Sequence, residues 1–287
     1  MALNAVLTAR PATESDRAGL ANLLHFETYV HRHFDWRRPI DWLGKWPYFV
    51  LEKGDRLAAA LACPPDPEGV AWLRLFAATA RVEPGEAWSE LWPQTLEQLR
   101  ELGVHHMAAI PLQEWMRDLL AGSGFVHTHN VIVLDWRTAK PSIPKPTHVI
   151  RDMAEGDFDS VAEADQAAFA PLWQNSAPAI KVAFEQAQFA RVIEVDGRVA
   201  AFQISTPAAQ GLHLARLATH PDFQGRGLGA ARVNDLLDYA ITHRKAVVTV
   251  NTQDNNKPSL GLYTKLGFKL TGDHYPVFEY VQLGKAD

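Results

Sequence analysis

The feature that most constrains the fold is an internal repeat. Glu52-Lys53-Gly54-Asp55-Arg56-Leu57-Ala58-Ala59 returns as Glu194-Val195-Asp196-Gly197-Arg198-Val199-Ala200-Ala201, an offset of 142 residues (Glu52 to Glu194). Gly69…Arg74-Leu75 returns at the same offset as Gly211…Arg216-Leu217, and Gly124-Phe125 returns one residue later as Gly267-Phe268. The openings Arg10–Asp16 and Arg151–Asp157 match at an offset of 141. Between the copies runs Thr138–Pro146, where Pro141, Pro144 and Pro146 permit neither a helix nor a central strand. A length of 287 residues suits two domains of roughly 150 each. The repeat predicts domains at 1–138 and 147–287, joined by a linker at 139–146.

Composition closes off several functions. With 47% apolar and 21% charged residues, the chain has material for two cores. A net charge of −5 supplies no global positive field for nucleic acid or anionic lipid. Cys63 is the one cysteine, which rules out an internal disulfide and suits a reducing compartment. Followed by Pro64-Pro65, it reads as a strand end rather than a nucleophile. No apolar stretch approaches about 18 residues, and Met1–Arg10 lacks the basic flank of a leader. The expectation is a soluble, cytoplasmic protein with no membrane or nucleic-acid partner.

The second copy holds the chemistry-bearing segments. Gln224-Gly225-Arg226-Gly227-Leu228-Gly229 follows an extended apolar run, Gly211–Thr219, and precedes a helix-period run from Ala230 to His243. A glycine turn there leaves the helix's first N–H groups without partners at the positive end of its dipole, an anion site. The glycines let backbone approach a diphosphate that a Cβ would hold off. The spacing matches neither the Walker loop nor the dinucleotide fingerprint. After a strand at 246–251, Asn256–Phe268 reads as a short helix, with Asn256 as cap, Pro258 in the first turn and Gly267 as stop.

In this order, Gln-x-x-Gly-x-Gly and Asn…Leu-Tyr-x-Lys-x-Gly-Phe resemble the GNAT superfamily of acyl-CoA-dependent N-acyltransferases. The resemblance implies an α/β (α+β) fold: two tandem GNAT domains, each a mixed, mostly antiparallel twisted sheet flanked by helices. It implies that Gln224, Gly225, Arg226, Gly227, Leu228, Gly229 and Ala230 hold the pyrophosphate of acetyl-CoA as co-substrate. It implies a bulge that splays the preceding strand from the next, so that backbone at Leu217, Ala218 and Thr219 pairs with the pantetheine arm. The N–H of Leu217 would face the thioester carbonyl. Asn256 and Tyr263 come from the later helix, Tyr263 protonating the departing thiolate. Several family members carry a carboxylate eleven residues before the Gln; here that position is His213, whose ordinary pKa suits a base. His220, Asp222, Glu194 and a water relay stay open as alternatives.

The first copy reads as catalytically silent. Its loop equivalent is Val82–Ala87, where Pro84 removes an N–H and Glu83 and Glu86 would repel a pyrophosphate. Leu120 stands at the position of Tyr263, and Gln113 at that of Asn256. Eight of the nine tryptophans fall in this half, and Trp42 and Trp46 admit two readings: core filling, or an apolar wall of the acceptor channel. The histidine pairs His31/His33, His105/His106 and His127/His129 lack the third spacing of a metal site, so no metal is expected. Asp159, Glu163 and Asp165 read as a solvated helix face, with attraction of a cationic amine as the alternative. The expected activity is direct acetyl transfer from acetyl-CoA to a primary amine. Alternatives are mycothiol-synthase-like acetylation of a thiol-sugar amine, or an acyl-CoA-binding regulator. The oligomeric state is open, a homodimer included.

Overall fold

Two runs of elements follow one plan. The computed structural model describes residues 6–137 and 149–283, so the linker expected at 139–146 lies outside the described residues. The first run is β1 (Leu7–Pro11), α1 (Arg17–Phe26), β2 (Tyr29–Arg32), β3 (Tyr48–Lys53), β4 (Arg56–Ala62), β5 (Val70–Trp72), β6 (Leu75–Ala78), α2 (Pro84–Glu101), β7 (His106–Ala109), α3 (Glu114–Gly122) and β8 (Phe125–Trp136). The second is β9 (Ile150–Asp152), α4 (Phe158–Ala168), α5 (Ala177–Glu185), β10 (Phe189–Val195), β11 (Arg198–Ala208), β12 (Gly211–Thr219), α6 (Leu228–Thr242), β13 (Val247–Gln253), α7 (Lys257–Lys265) and β14 (Lys269–Tyr280). No helix among the described residues is long and apolar enough to cross a membrane.

The chain divides into two compact units, Met1–Thr128 with Pro276–Asp287, and His129–Tyr275. A division at the proline-rich stretch would leave β8 whole in one half and β14 whole in the other. The compact units instead divide both strands. Unit one orders its strands β1-β3-β4-β6-β2 and β5-β7-β14, the end of β14 pairing Phe278 with Ala109 and Glu279 with Ala108. Unit two orders them β14-β8-β13-β12-β11-β10-β9, the end of β8 pairing with β13 from Val131 to Trp136. The reason is packing: Tyr280 and Leu283 are buried with Trp92 and Phe125, whereas Leu134 and Trp136 are buried with Val248 and Leu236.

The repeated openings build one device twice. Arg10 donates to Asp16 (2.7 and 2.8 Å) and Glu52 (2.6 Å), tying β1, the first turn and β3 together. Arg151 does the same with Asp157 (2.7 and 2.8 Å) and Glu194 (3.0 Å). In unit one the tryptophans fill the core. Trp88 and Trp92 stack at 5.2 Å. Trp42 is 3% exposed, lies 4.7 Å from Arg37 and 4.5 Å from Arg74, and donates to Asp35. Trp46 donates to Gln98 at 2.6 Å and packs on Phe49. Trp42 therefore has no free face for a channel wall, and the core-filling reading describes it.

Both units fork at the same point. In unit two, β12 runs parallel to β13 only from Gly211 to Leu214, opposite Val247 to Val250. Ala215 is then the extra residue of a bulge, because Ser205 faces Leu214 while Ile204 faces Arg216. A bulge bends its strand and increases the local twist. From there β12 stays with β11 to Thr219, while β13 stays with β8. In unit one the corresponding strand breaks after Trp72: β5 stays with β7, and β6 continues with β4. There, however, β2 lies on the other edge of β6, Tyr29–Arg32 running antiparallel to Leu75–Ala78.

Candidate active site

The fork in unit two leaves one strand end with a single neighbour. Leu217, Ala218 and Thr219 pair with Gln203, Phe202 and Ala201 of β11, and no strand among the described residues pairs with them on the opposite edge. Their backbone groups on that edge are available to an extended ligand carrying amides, by the rule that such groups seek partners. The expected bulge is present, between Leu214 and Arg216.

The glycine loop closes the open end of the fork. A turn at Pro221–Phe223 leads out of β12, and Gln224 Nε2 donates back to the Thr219 carbonyl at 3.1 Å. Gly225 and Gly227 take φ of +75° and +78°, a region side chains resist, and Gly227 caps α6. Leu228 is buried against Ile193, which anchors the first turn of α6 over the sheet. A Cβ on Gly229 would stand 3.5 Å from Leu262 of α7 and 3.7 Å from the Thr219 hydroxyl, so the strand end, α6 and α7 converge here. Arg226 donates to the Asp222 carbonyl at 3.2 Å and lies 5.2 Å from the Phe223 ring.

The second motif folds as the sequence predicts. Asn256 Oδ1 accepts from Ser259 N at 3.2 Å, capping α7, and its Nδ2 reaches Gln253. Tyr263, 5% exposed, packs among Leu212, Leu214, Leu266 and Phe268. Burial raises its hydroxyl above the usual phenol range, while the Arg216 guanidinium pulls in the opposite direction. It therefore stays protonated at neutral pH, a proton donor.

His213 occupies the other face of β12. Its neighbours Leu212 and Leu214 lie in the cluster with Tyr263, and alternation turns His213 away from them. Its Nδ1 meets the Thr249 hydroxyl at 2.8 Å, and burial lowers its pKa, leaving it neutral and able to accept a proton. Among the alternative bases, Glu194 is bound to Arg151, whereas His220 and Asp222 share Arg198 (3.4 and 3.2 Å) beside the loop. No group of three metal-ligating residues occurs among the described residues.

One expectation fails and one residue was missed. Asp165 is fully buried, not part of an acidic surface: Arg216 Nε and Nη2 donate to its two oxygens at 2.5 and 2.8 Å. Arg216 also donates to the Trp173 carbonyl at 2.5 Å and lies 3.6 Å from the Phe169 ring. The repeated Arg-Leu pair at 74 and 216 was the available signal, but it served only to set the repeat's register.

Comparison with known proteins agrees with this geometry. Residues 151–268, within unit two, match the model of the Acetyltransferase (GNAT) family. This segment of the chain is similar to the GNAT acetyltransferases. The chain is 31% identical over 87 residues to "[Ribosomal protein bS18]-alanine N-acetyltransferase" of Salmonella typhimurium; the alignment covers 29% of this chain and 59% of that protein. The chain thus spans less than two thirds of this curated GNAT relative. The tandem GNAT protein from the clavulanic acid biosynthesis pathway superposes with a TM-score of 0.61 at 17% identity, covering 98% of this chain and all of the other (100%). A GCN5-related N-acetyltransferase from Sphaerobacter thermophilus gives a TM-score of 0.56 at 14% identity over 95% of each chain. At these identities the two structures show the fold, a tandem GNAT architecture.

Proposed function

We propose that the protein is an N-acetyltransferase that moves an acetyl group from acetyl-CoA to a primary amine, using unit two alone. The observation that carries this reading is the fork. A strand end with one open edge meets a left-handed glycine loop and the Tyr263 helix, so backbone donors, anion site and acid converge. Acetyl-CoA fits the donor set: Leu217–Thr219 would hold an amide-bearing arm, and Gln224–Ala230 a pyrophosphate. When bound, it supplies the acetyl group as a thioester. The acceptor that the relative is named for, an alanine of a ribosomal protein, is also an amine.

The residues then divide the work by face. An arm lying in the plane of the sheet has Tyr263 on one side and His213 on the other. The Leu217 N–H would donate to the carbonyl oxygen as charge develops there, a contact typically worth about 3 kcal/mol. His213, neutral, would take the amine's proton, and Tyr263 would give its own to the sulfur as the C–S bond breaks. Direct transfer needs no residue as nucleophile.

Unit one supports a single site. The edge of β6 that corresponds to the open edge of β12 is occupied by β2, and Pro84 and Glu83 stand where the loop would be. The test is acetyl-CoA titration followed by thiol detection of released CoA across alkyl, aminoacyl, polyamine and peptide amines. One equivalent bound and turnover with at least one amine class are expected. No binding, or two equivalent sites, would overturn the reading.

A further inference from the structure

The two units differ most at the segment that follows their first helix. Helices α1 and α4 end in register, at Phe26 and Ala168, each with the next N–H closing onto the last turn: Glu27 to Leu23 and Phe169 to Asp165. Three residues later the paths part. In unit one Tyr29–Arg32 becomes β2 and lies on β6. In unit two Pro171–Trp173 turns as a 3-10 helix, and the edge of β12 stays bare.

The arginine after the fork is the same in both units, but its carboxylate is not. Arg74 donates to Asp35, which comes after β2, and β2 is continued by His33 N donating to the Arg74 carbonyl at 3.1 Å. Arg216 donates to Asp165, which comes before the segment and stands where unit one has Leu23. Asp165 Oδ1 also accepts from Asn175 N at 2.7 Å, and Gln174 Nε2 donates to the Gln166 and Phe169 carbonyls at 2.8 and 3.0 Å. Both ends of the segment are thereby drawn back onto α4, and its middle is held by Arg216 at the Trp173 carbonyl.

We infer that Asp165, through Arg216, holds the 169–175 segment off β12 and so keeps the acyl-CoA edge open; it is a positioning residue for the reaction. The inference rests on the acetyltransferase reading. Moving the carboxylate from after the segment to before it converts a strand that plugs the fork into a turn that clears it. Pro171 adds to the effect, since it has no N–H to give a strand partner. In unit one the same arginine, with its carboxylate on the far side, stabilises the plugged form.

The test uses the full chain. Asp165→Leu together with Arg216→Leu removes both charges, which avoids leaving one buried and unpaired; Asp165→Asn is a second, milder variant. Hydrogen–deuterium exchange of peptides spanning 213–220 reads whether the edge becomes paired, and acetyl-CoA titration reads whether it is lost. In the double variant the edge amides should exchange about 10-fold more slowly as the segment settles on them. If the open form falls to a few per cent, the acetyl-CoA Kd rises roughly 30-fold. Asp165→Asn should change both in the same direction. Unchanged or faster exchange at 213–220 in a cooperatively unfolding double variant overturns the inference; if that variant does not fold, Asp165→Asn decides by the same criterion. Failure of the unaltered protein to bind acetyl-CoA would refute the acetyltransferase reading alone, because the exchange comparison still decides the clamp.

Discussion

Replacing Gly227 by alanine sets the glycine loop against its own degenerate copy. Gly227 caps α6 at φ +78° and ψ +7°, where a Cβ costs roughly 1–2 kcal/mol. Nothing lies within 4 Å of that Cβ, so the cost is backbone strain without a clash. Gly85, the equivalent residue, sits in the first turn of α2 without a positive φ, and its Cβ would stand 3.9 Å from Leu119. Alanine there gains up to about 1 kcal/mol of helix propensity. The two substitutions should therefore act in opposite directions. Gly227→Ala should lower Tm by about 2–8 °C, at roughly 2–4 °C per kcal/mol for a chain of this size. A loop that relaxes when free must recover the strain to bind, so acetyl-CoA affinity should fall about 5- to 30-fold. Gly85→Ala should raise Tm slightly and leave affinity within about 2-fold, the two sites sharing no partner. Isothermal titration and thermal unfolding read both. Equal losses of affinity in the two variants, or none in Gly227→Ala, would refute the assignment of the anion site to α6.

Tyr263→Phe keeps the ring among Leu212, Leu214 and Phe268 while removing the proton, so kcat should drop about 10²- to 10⁴-fold with acetyl-CoA Kd little changed; an unchanged kcat in steady-state assays would transfer the acid role elsewhere. Because burial raises this phenol, the unaltered enzyme should show no alkaline loss of kcat assignable to Tyr263 below about pH 10. Burial pushes the His31 pKa down to about 4, so as pH falls the unfolded chain takes up its proton first, near its ordinary value. Stability should be unaffected above pH ~6.5 and decline by roughly 3 kcal/mol between there and pH ~4. Urea midpoints at several pH values should show that slope, and His31→Gln should lessen it, leaving the part due to His33, whose pKa burial also lowers; an identical slope in the variant would remove His31 as a source.

Much of the site was legible because its chemistry depends on backbone conformation that few residues can supply. Glycines 225 and 227, the Asn256 cap and the Gly267 stop announce their geometry by residue type, and the structure places them as expected. The helix start in the first copy was legible for the same reason, from Pro84. The plug was not: Tyr29–Arg32 and Pro171–Gln174 are both short and mixed in polarity, and only pairing distinguishes strand from turn. Asp165 was misread because it was grouped with Asp159 and Glu163 on one helix, and nothing near it in sequence marks its partner, which lies far along the chain at Arg216. The tryptophans showed aromatic content but not direction, and packing decided the matter for Trp42.

The division of β8 and β14 between the units bears on how the protein is made. Unit one needs Phe278, Tyr280 and Leu283 to finish its core, and these leave the ribosome long after Thr128. During synthesis the first unit must wait with the β7 edge bare at Ala108 and Ala109, a template for wrong pairing until the closing strand arrives. The second unit, by contrast, has its borrowed strand in hand before its own first strand emerges. Early termination would therefore damage the first unit before the second, and a cut between the repeats would yield two incomplete sheets rather than two free domains.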